Sequence, residues 1–291
     1  METIVIIIII FIIICCCGCI FMYSQNNSAI SSQITTVPKL NQDTSAISSQ
    51  DTSAILSQDT SAISSQITTV PKLNQDTSLI LFYKFDVNDI QNDNVMNYAT
   101  GKYDAILKSG ASIQSSDYKV GNGSLLLDGS KSQYLQLPNI TPGNNGLTIA
   151  YWFKTNNSIG WSRLFDFGNG GANNNWLQSP INGLSVYNGN APVLQPNVSP
   201  MEFANNTWYH SVWTLTPAPN ASATSTWNYY INGVLIKTHS NGGYPQPITL
   251  TTNYIGKSNW DVDPYYNGAI DDFRLYNRVL SDSEVTSLYN Y

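Results

Sequence analysis

The sequence predicts an all-β protein, a two-sheet antiparallel jelly-roll sandwich preceded by one transmembrane helix and a disordered repeat stalk. Three observations carry that expectation. Residues 4–23, "IVIIIIIFIIICCCGCIFMY", hold no charged side chain. Residues 25–78 repeat themselves, with "SAISSQITTVPKLNQDT" at 28–44 recurring unchanged at 61–77. Residues 79–291 then turn to short alternating runs of aromatic and β-branched residues separated by Gly, Asn and Pro, the pattern of a many-stranded sandwich.

The apolar run at 4–23 is twenty residues long. At 1.5 Å per residue it would span roughly 30 Å, the hydrocarbon thickness of a bilayer. Residues 1–24 are therefore expected to form a single-pass membrane anchor. A cleaved signal peptide is the alternative, but the run exceeds the usual length of such segments, and neither a preceding Lys or Arg nor a small-residue cleavage site accompanies it. Charge sets no orientation, because Glu2 alone precedes the run and the first lysine is Lys39. The cysteines, Cys15, Cys16, Cys17 and Cys19, all lie in this run, so the rest of the chain has neither a disulfide nor a thiolate metal site.

Between the two long copies of the repeat lie "SAISSQDT" and "SAILSQDT", an octapeptide unit. Each unit sets one or two isolated Ile or Leu residues among Ser, Thr, Gln and Asp, too little apolar surface to offset the entropy of ordering a backbone. A flexible stalk over residues 25–78 is expected, with an end-to-end distance of about 40 Å as a coil. A β-solenoid is disfavoured by the irregular spacing and the lack of stacked apolar rows.

From residue 79 the candidate strands include "LTIAYWFKT", "WYHSVWTLTP", "TTNYIGKS" and "GAIDDFRLYN". Asn232-Gly233, between "WNYYI" and "VLIKTH", suits a type I′ hairpin, which requires positive φ at both central residues. In "AIDDFRLYN" a period of two would place Ile270, Asp272, Arg274 and Tyr276 on one face and Asp271, Phe273 and Leu275 on the other. Beyond it, Ser281 and Glu284 form a capping box for a short helix from about Asp282 to Tyr289, with Leu280 and Val285 as its hydrophobic staple.

"YYNGAIDDFRLYNRVLSDSEVTSLY" at 265–289 resembles the closing motif of laminin G-like, concanavalin A-like jelly-roll domains. The stretches "FYKFDVND", "VGNGSLLLDGSKSQYLQLP", "LTIAYWFKT", "NNTWYHSVWTL", "WNYYINGVLIKT" and "NYIGKS" agree with that family in order, so the resemblance covers residues 79–291. It implies two curved antiparallel sheets whose concave face or rim loops commonly bind carbohydrate, and in many members a calcium ion.

Only 11% of the residues are charged, the net charge is -6, and thirteen Lys and Arg are scattered singly, which excludes nucleic acid as a partner. Sugar C–H faces stack on aromatic rings. Trp161, Trp176, Trp260, Tyr265 and Tyr266 fall in loop-like, Gly- and Asn-rich surroundings and are the candidate ligand residues, whereas Trp152, Trp208, Trp213 and Trp227 lie in strand patterns. Calcium needs six to eight oxygens. Asp86, Asn88 and Asp89, with Asp271 or Asp272, are candidate ligands, as is the loop holding Asp261 and Asp263; the alternative is that these carboxylates accept hydrogen bonds from the backbone or from Arg274. Glycoside hydrolysis usually needs two facing carboxylates. After residue 78 the glutamates are Glu202 and Glu284 alone, Asp271 and Asp272 are adjacent, and His210 and His239 stand apart, so no catalytic residue is expected and the protein is read as a non-enzyme. Seven Asn-x-Ser/Thr sequons, from Asn26 to Asn220, would permit N-glycosylation in a secretory lumen. The sequence thus predicts a membrane-anchored, lectin-like protein of a cell or virion surface that binds glycans or glycoproteins. A structural or adhesion module is the alternative and a glycoside hydrolase the third reading.

Overall fold

The computed structural model describes residues 72–157, 159–189, 191–193, 202–218 and 224–291. The expected anchor and the first part of the stalk lie outside them. No described helix is long and apolar enough to cross a membrane.

Two antiparallel sheets form the domain, as expected. The first contains β1 (Leu79–Tyr83), β5 (Ser112–Gln114), β6 (Ser124–Leu127), β8 (Leu147–Thr155), β13 (Trp208–Leu215), β14 (Ser225–Ile231), β15 (Val234–Gly242) and β17 (Gly268–Tyr276). Its order is β15-β14-β13-β8-β17-β6-β5, with β1 also paired to β17. The second contains β2 (Ile90–Gln91), β3 (Asn94–Asn97), β4 (Lys102–Lys108), β7 (Tyr134–Leu137), β9 (Phe165–Gly168), β10 (Trp176–Ser179), β11 (Gly183–Asn188), β12 (Ala191–Val193) and β16 (Thr252–Ile255). Its order is β12-β11-β10-β9-β16-β7-β4-β3-β2. The β14–β15 turn has φ of 51° at Asn232 and 76° at Gly233, as its Asn-Gly pair demands.

Strand β17 organises the first sheet. One edge pairs with β8 along its length, while the other pairs with β6 through Gly268–Ile270 and with β1 through Phe273–Tyr276. The change of partner falls on Asp271 and Asp272, where a bulge interrupts the register with β8 and Asp272 takes a φ of 49°. A bulge adds a residue and reverses the facing of the residues beyond it. The strict alternation expected from the sequence is therefore corrected: Ile270 joins Phe273 and Leu275 in the core between the sheets, instead of sharing a face with Asp272, Arg274 and Tyr276.

The core is dense in aromatic rings because β8, β9, β13, β14 and β17 each send alternate rings inward. Phe273 lies 5.4 Å from Tyr151 and 6.3 Å from both Phe165 and Phe167, centroid to centroid. A second apolar cluster forms on the other side of the first sheet, under helix α1 (Asp282–Tyr289), from Ala150, Val212, Tyr230, Tyr276, Leu280, Val285 and Leu288. The capping box exists as predicted: Glu284 N–H donates to Ser281 Oγ, and Ser281 N–H donates to Glu284 Oε2 at 2.8 Å. Leu73 is 1% exposed and belongs to this second cluster, so the end of the expected stalk is part of the folded domain.

Replacing Ser281 by Ala leaves the first-turn amides without their acceptor and is expected to lower stability by about 1 kcal/mol. Urea unfolding of the two proteins measures this; an unchanged midpoint would show that the cap contributes nothing.

Candidate functional site

In the second sheet the inward positions are Leu135 and Leu137 of β7, Phe165 and Phe167 of β9, Leu184 and Val186 of β11 and Ile255 of β16. Alternation sends Tyr134, Asp166, Tyr187 and Tyr254 to the opposite, outer face. The loop 256–267 folds back across this face. Asn259 fastens it there: its backbone N–H donates to Asp166 Oδ2 at 2.9 Å, and its Nδ2 donates to Asp166 Oδ1 at 2.8 Å and to the Thr252 carbonyl at 3.0 Å. Burial pushes the Asp166 carboxyl up, and the hydrogen bonds from Asn259 and Asn175 oppose that shift.

So held, Trp260 lies 5.4 Å from Tyr187. Arg163, 3% exposed, sits between two indoles, its guanidinium carbon 5.6 Å from the ring centroids of both Trp161 and Trp260. The guanidinium is oriented by Asp263 Oδ2, which accepts from Nη2 at 2.8 Å, and by the Trp161 carbonyl, which accepts from Nη1. One buried cation thereby sets the positions of two rings from loops about a hundred residues apart. Trp161 is 49% exposed, with φ 69° and its N–H donating to Asn182 Oδ1 at 3.1 Å. Beside this group Tyr134 packs edge-on to Tyr254 at 5.5 Å and lies 6.1 Å from Tyr265, with Lys257 Nζ 4.7 Å from the Tyr254 ring.

Three of the predicted ligand aromatics, Trp161, Trp260 and Tyr265, thus belong to one surface. The other two do not. Trp176 is 0% exposed because it opens β10 in register with Phe167 and Val186, both inward, and its ring lies edge-on to Phe165 at 5.7 Å. Tyr266 is likewise 0% exposed in the core. Sequence reasoning missed Arg163, Tyr187, Tyr134 and Tyr254. The signal for the tyrosines was present, since each sits one residue from an inward apolar position of its strand.

The acidic candidates have other partners. Asp271 Oδ2 accepts the N–H groups of Lys119 and Val120, each at 2.8 Å, and Asp86 Oδ1 accepts Asn122 N–H at 2.6 Å. Asp272 accepts from Arg274 Nε and Nη2, both at 2.9 Å. Asp263 holds Arg163 and Ser258, and Asn88 is exposed. Asp86 and Asp272 do line one cavity of about 390 Å³, together with Lys84, Lys119, Phe82 and Gly121. Two ammonium groups, and carboxylates already bonded to a guanidinium and an amide, do not fit a calcium ion, which wants a shell of free oxygens. Among the described residues no group of three or more His, Cys, Asp or Glu could hold a metal. His210 is buried 5.0 Å from Trp152 and is kept neutral, lowered to about 3 by burial and then by Arg274 and Lys119.

The sequence profile of the concanavalin A-like lectin/glucanases superfamily matches residues 128–286. The chain belongs to that superfamily. Over 195 residues this concanavalin A-like chain is 28% identical to an α-L-arabinofuranosidase of Bifidobacterium longum subsp. longum, a match covering 61% of the chain and 18% of that relative. Domain 4 of AbnA, a GH43 extracellular arabinanase from Geobacillus stearothermophilus solved with arabinotriose, is similar with a TM-score of 0.51 and 19% identity, over 73% of this chain and 98% of that one. Trypanosoma rangeli sialidase, solved with sialic acid, has a TM-score of 0.50 and 16% identity over 74% of this chain and 33% of its own. At these identities the two structures share the fold. The expectation of a non-enzyme is overturned by these relatives, an arabinofuranosidase, an arabinanase domain and a sialidase, which place the fold among glycoside hydrolases across part of each protein.

The buried Asp271 gives the domain a pH signature. Desolvation pushes its carboxyl up to about 7, with the charge of Asp272 adding to the shift and the two amides opposing it. Unfolded, the group ionises near pH ~4. Between those values the native state binds more protons, so this group's contribution to stability falls as pH rises from about 4 to about 7. Thermal unfolding of wild type and Asp271→Asn should therefore show their melting temperatures diverging across that window in favour of the variant, then running parallel above it. A constant difference from pH 4 to 8 would contradict this.

Proposed function

We propose that the domain binds carbohydrate on the outer face of the second sheet, with Trp161, Trp260 and Tyr187 as the stacking surface and Tyr134, Tyr254 and Tyr265 extending it. The observation that carries this reading is the Arg163 clamp. A buried guanidinium between two indoles fixes ring positions before any ligand arrives, which removes ordering cost from binding. Asn182, which meets the Trp161 loop, and Lys257 of the loop 256–267 supply hydrogen-bonding groups for hydroxyls. Superfamily membership supports a glycan as the ligand, and the names of the arabinofuranosidase relative and of the arabinanase domain make arabinose-containing glycans the first class to test. Residues 4–23 are proposed to anchor the protein in a membrane, presenting the domain at a cell or virion surface.

Calorimetric titration of the full chain with arabino-oligosaccharides should show saturable binding. Trp260→Ala and Trp161→Ala should each weaken it about tenfold, or ~1.4 kcal/mol, while Trp208→Ala on the first sheet should not. Equal affinity in all three variants would move the site elsewhere, and no binding to any neutral or anionic glycan would remove the carbohydrate reading. Separately, the chain should resist alkaline extraction from membranes and be released when residues 4–23 are deleted; a full-length chain that is extracted freely would contradict the anchor.

A further inference from the structure

Residues 72–78, Lys-Leu-Asn-Gln-Asp-Thr-Ser, occupy a defined seat on the domain. Leu73 is buried in the cluster with Tyr276, Leu280 and Val285. Asn74 Oδ1 accepts from Arg274 Nη1 at 2.5 Å. Asp76 Oδ2 accepts from Arg278 Nε at 2.8 Å, and the same guanidinium donates to Glu284 of the capping box at 2.7 and 2.9 Å. Ser78 O accepts Asn277 N–H at 2.7 Å, and Ser78 N–H donates to Asp76 Oδ1 at 2.8 Å. One apolar side chain, one amide and one carboxylate at fixed spacing, each with its own partner, amount to sequence recognition. Yet these residues belong to the repeat: positions 39–45 read Lys-Leu-Asn-Gln-Asp-Thr-Ser as well.

We propose that the seat formed by β17, Arg278 and α1 is a recognition site for this heptapeptide, which residues 39–45 of the same chain fill when residues 72–78 leave it. Leu40, Asn41 and Asp43 would then take the places of Leu73, Asn74 and Asp76. Residues 46–78, thirty-three in all, would form the loop into β1. Closing that loop opposes the exchange, so the second copy, continuous with β1, holds the seat in the resting protein. The first copy remains a tethered competitor at high effective concentration. The exchange would move the point at which the chain leaves the domain 33 residues toward its N-terminus, making the repeat a device that sets the length of the free tether.

The test uses the full chain with three sets of substitutions: Leu40→Asp with Asp43→Ala, Leu73→Asp with Asp76→Ala, and all four. Thermal unfolding of the domain is the readout, at two protein concentrations a decade apart. The first set should melt with the wild type. The second should lose only part of what the fourfold variant loses, independently of concentration, because the intact first copy replaces the damaged one. Identical melting of the second set and the fourfold variant would overturn the proposal, as would a rescue seen only at the higher concentration. Should the aspartates prevent folding, Leu→Ala at both positions provides the same comparison.

Discussion

The bulge at Asp271 and Asp272 is the constraint on which the rest of the domain depends. It lies where one edge of β17 passes from β6 to β1, while the other edge slips by one residue against β8. The extra residue puts two carboxylates in the gap, and each has a task. Asp271 gathers the amides of Lys119 and Val120, fixing the loop that feeds β6; Asp272 neutralises Arg274, which is fully buried. Arg274 in turn packs on Phe82 of β1, 4.0 Å from its ring, and reaches Asn74. Strand order, loop anchorage and the docking of the preceding segment therefore meet at one interruption. An uncompensated charge at such depth would be strongly destabilising, which is why the acids and the arginine occur together.

The outer face of the second sheet obeys the same logic with an aromatic emphasis. Asp166 is buried beneath a loop and its oxygens are consumed by Asn259 and Asn175, so its role is to hold that loop down. Arg163 then spaces the two tryptophans. Both faces of the sandwich thus use one buried ionic group to position loops that are far apart in sequence, on the second sheet in order to present rings and on the first to complete a sheet. The glycoside-hydrolase relatives share this fold over only part of their length.

Much was legible in the sequence because it rests on local physics. The Asn232-Gly233 turn, the capping box at Ser281, the many short strands and the placement of Trp213 and Trp227 in strands arise from φ preference, helix-end hydrogen bonding and a period of two. The Gly and Asn around Trp176 and Tyr266 resemble loop composition and suggest exposed ligand residues, whereas their burial is decided by register against β9 and by the sheet opposite. Repeat identity puts the end of the stalk at 78 but carries no sign that Leu73 finds an apolar seat.

By itself the sequence determined the composition of the protein: a charge-poor β-rich domain without thiols, preceded by a repeat and a long uncharged run. Only the tertiary structure decided which aromatic residues share a surface, that the acid pair marks a bulge, and that one copy of a repeated heptapeptide belongs to the fold. The physical reason is that alternation and capping depend on neighbours within a few residues. The Arg163 clamp, the partner change along β17 and the seat of Leu73 join positions 100 to 200 residues apart, and only packing brings those together.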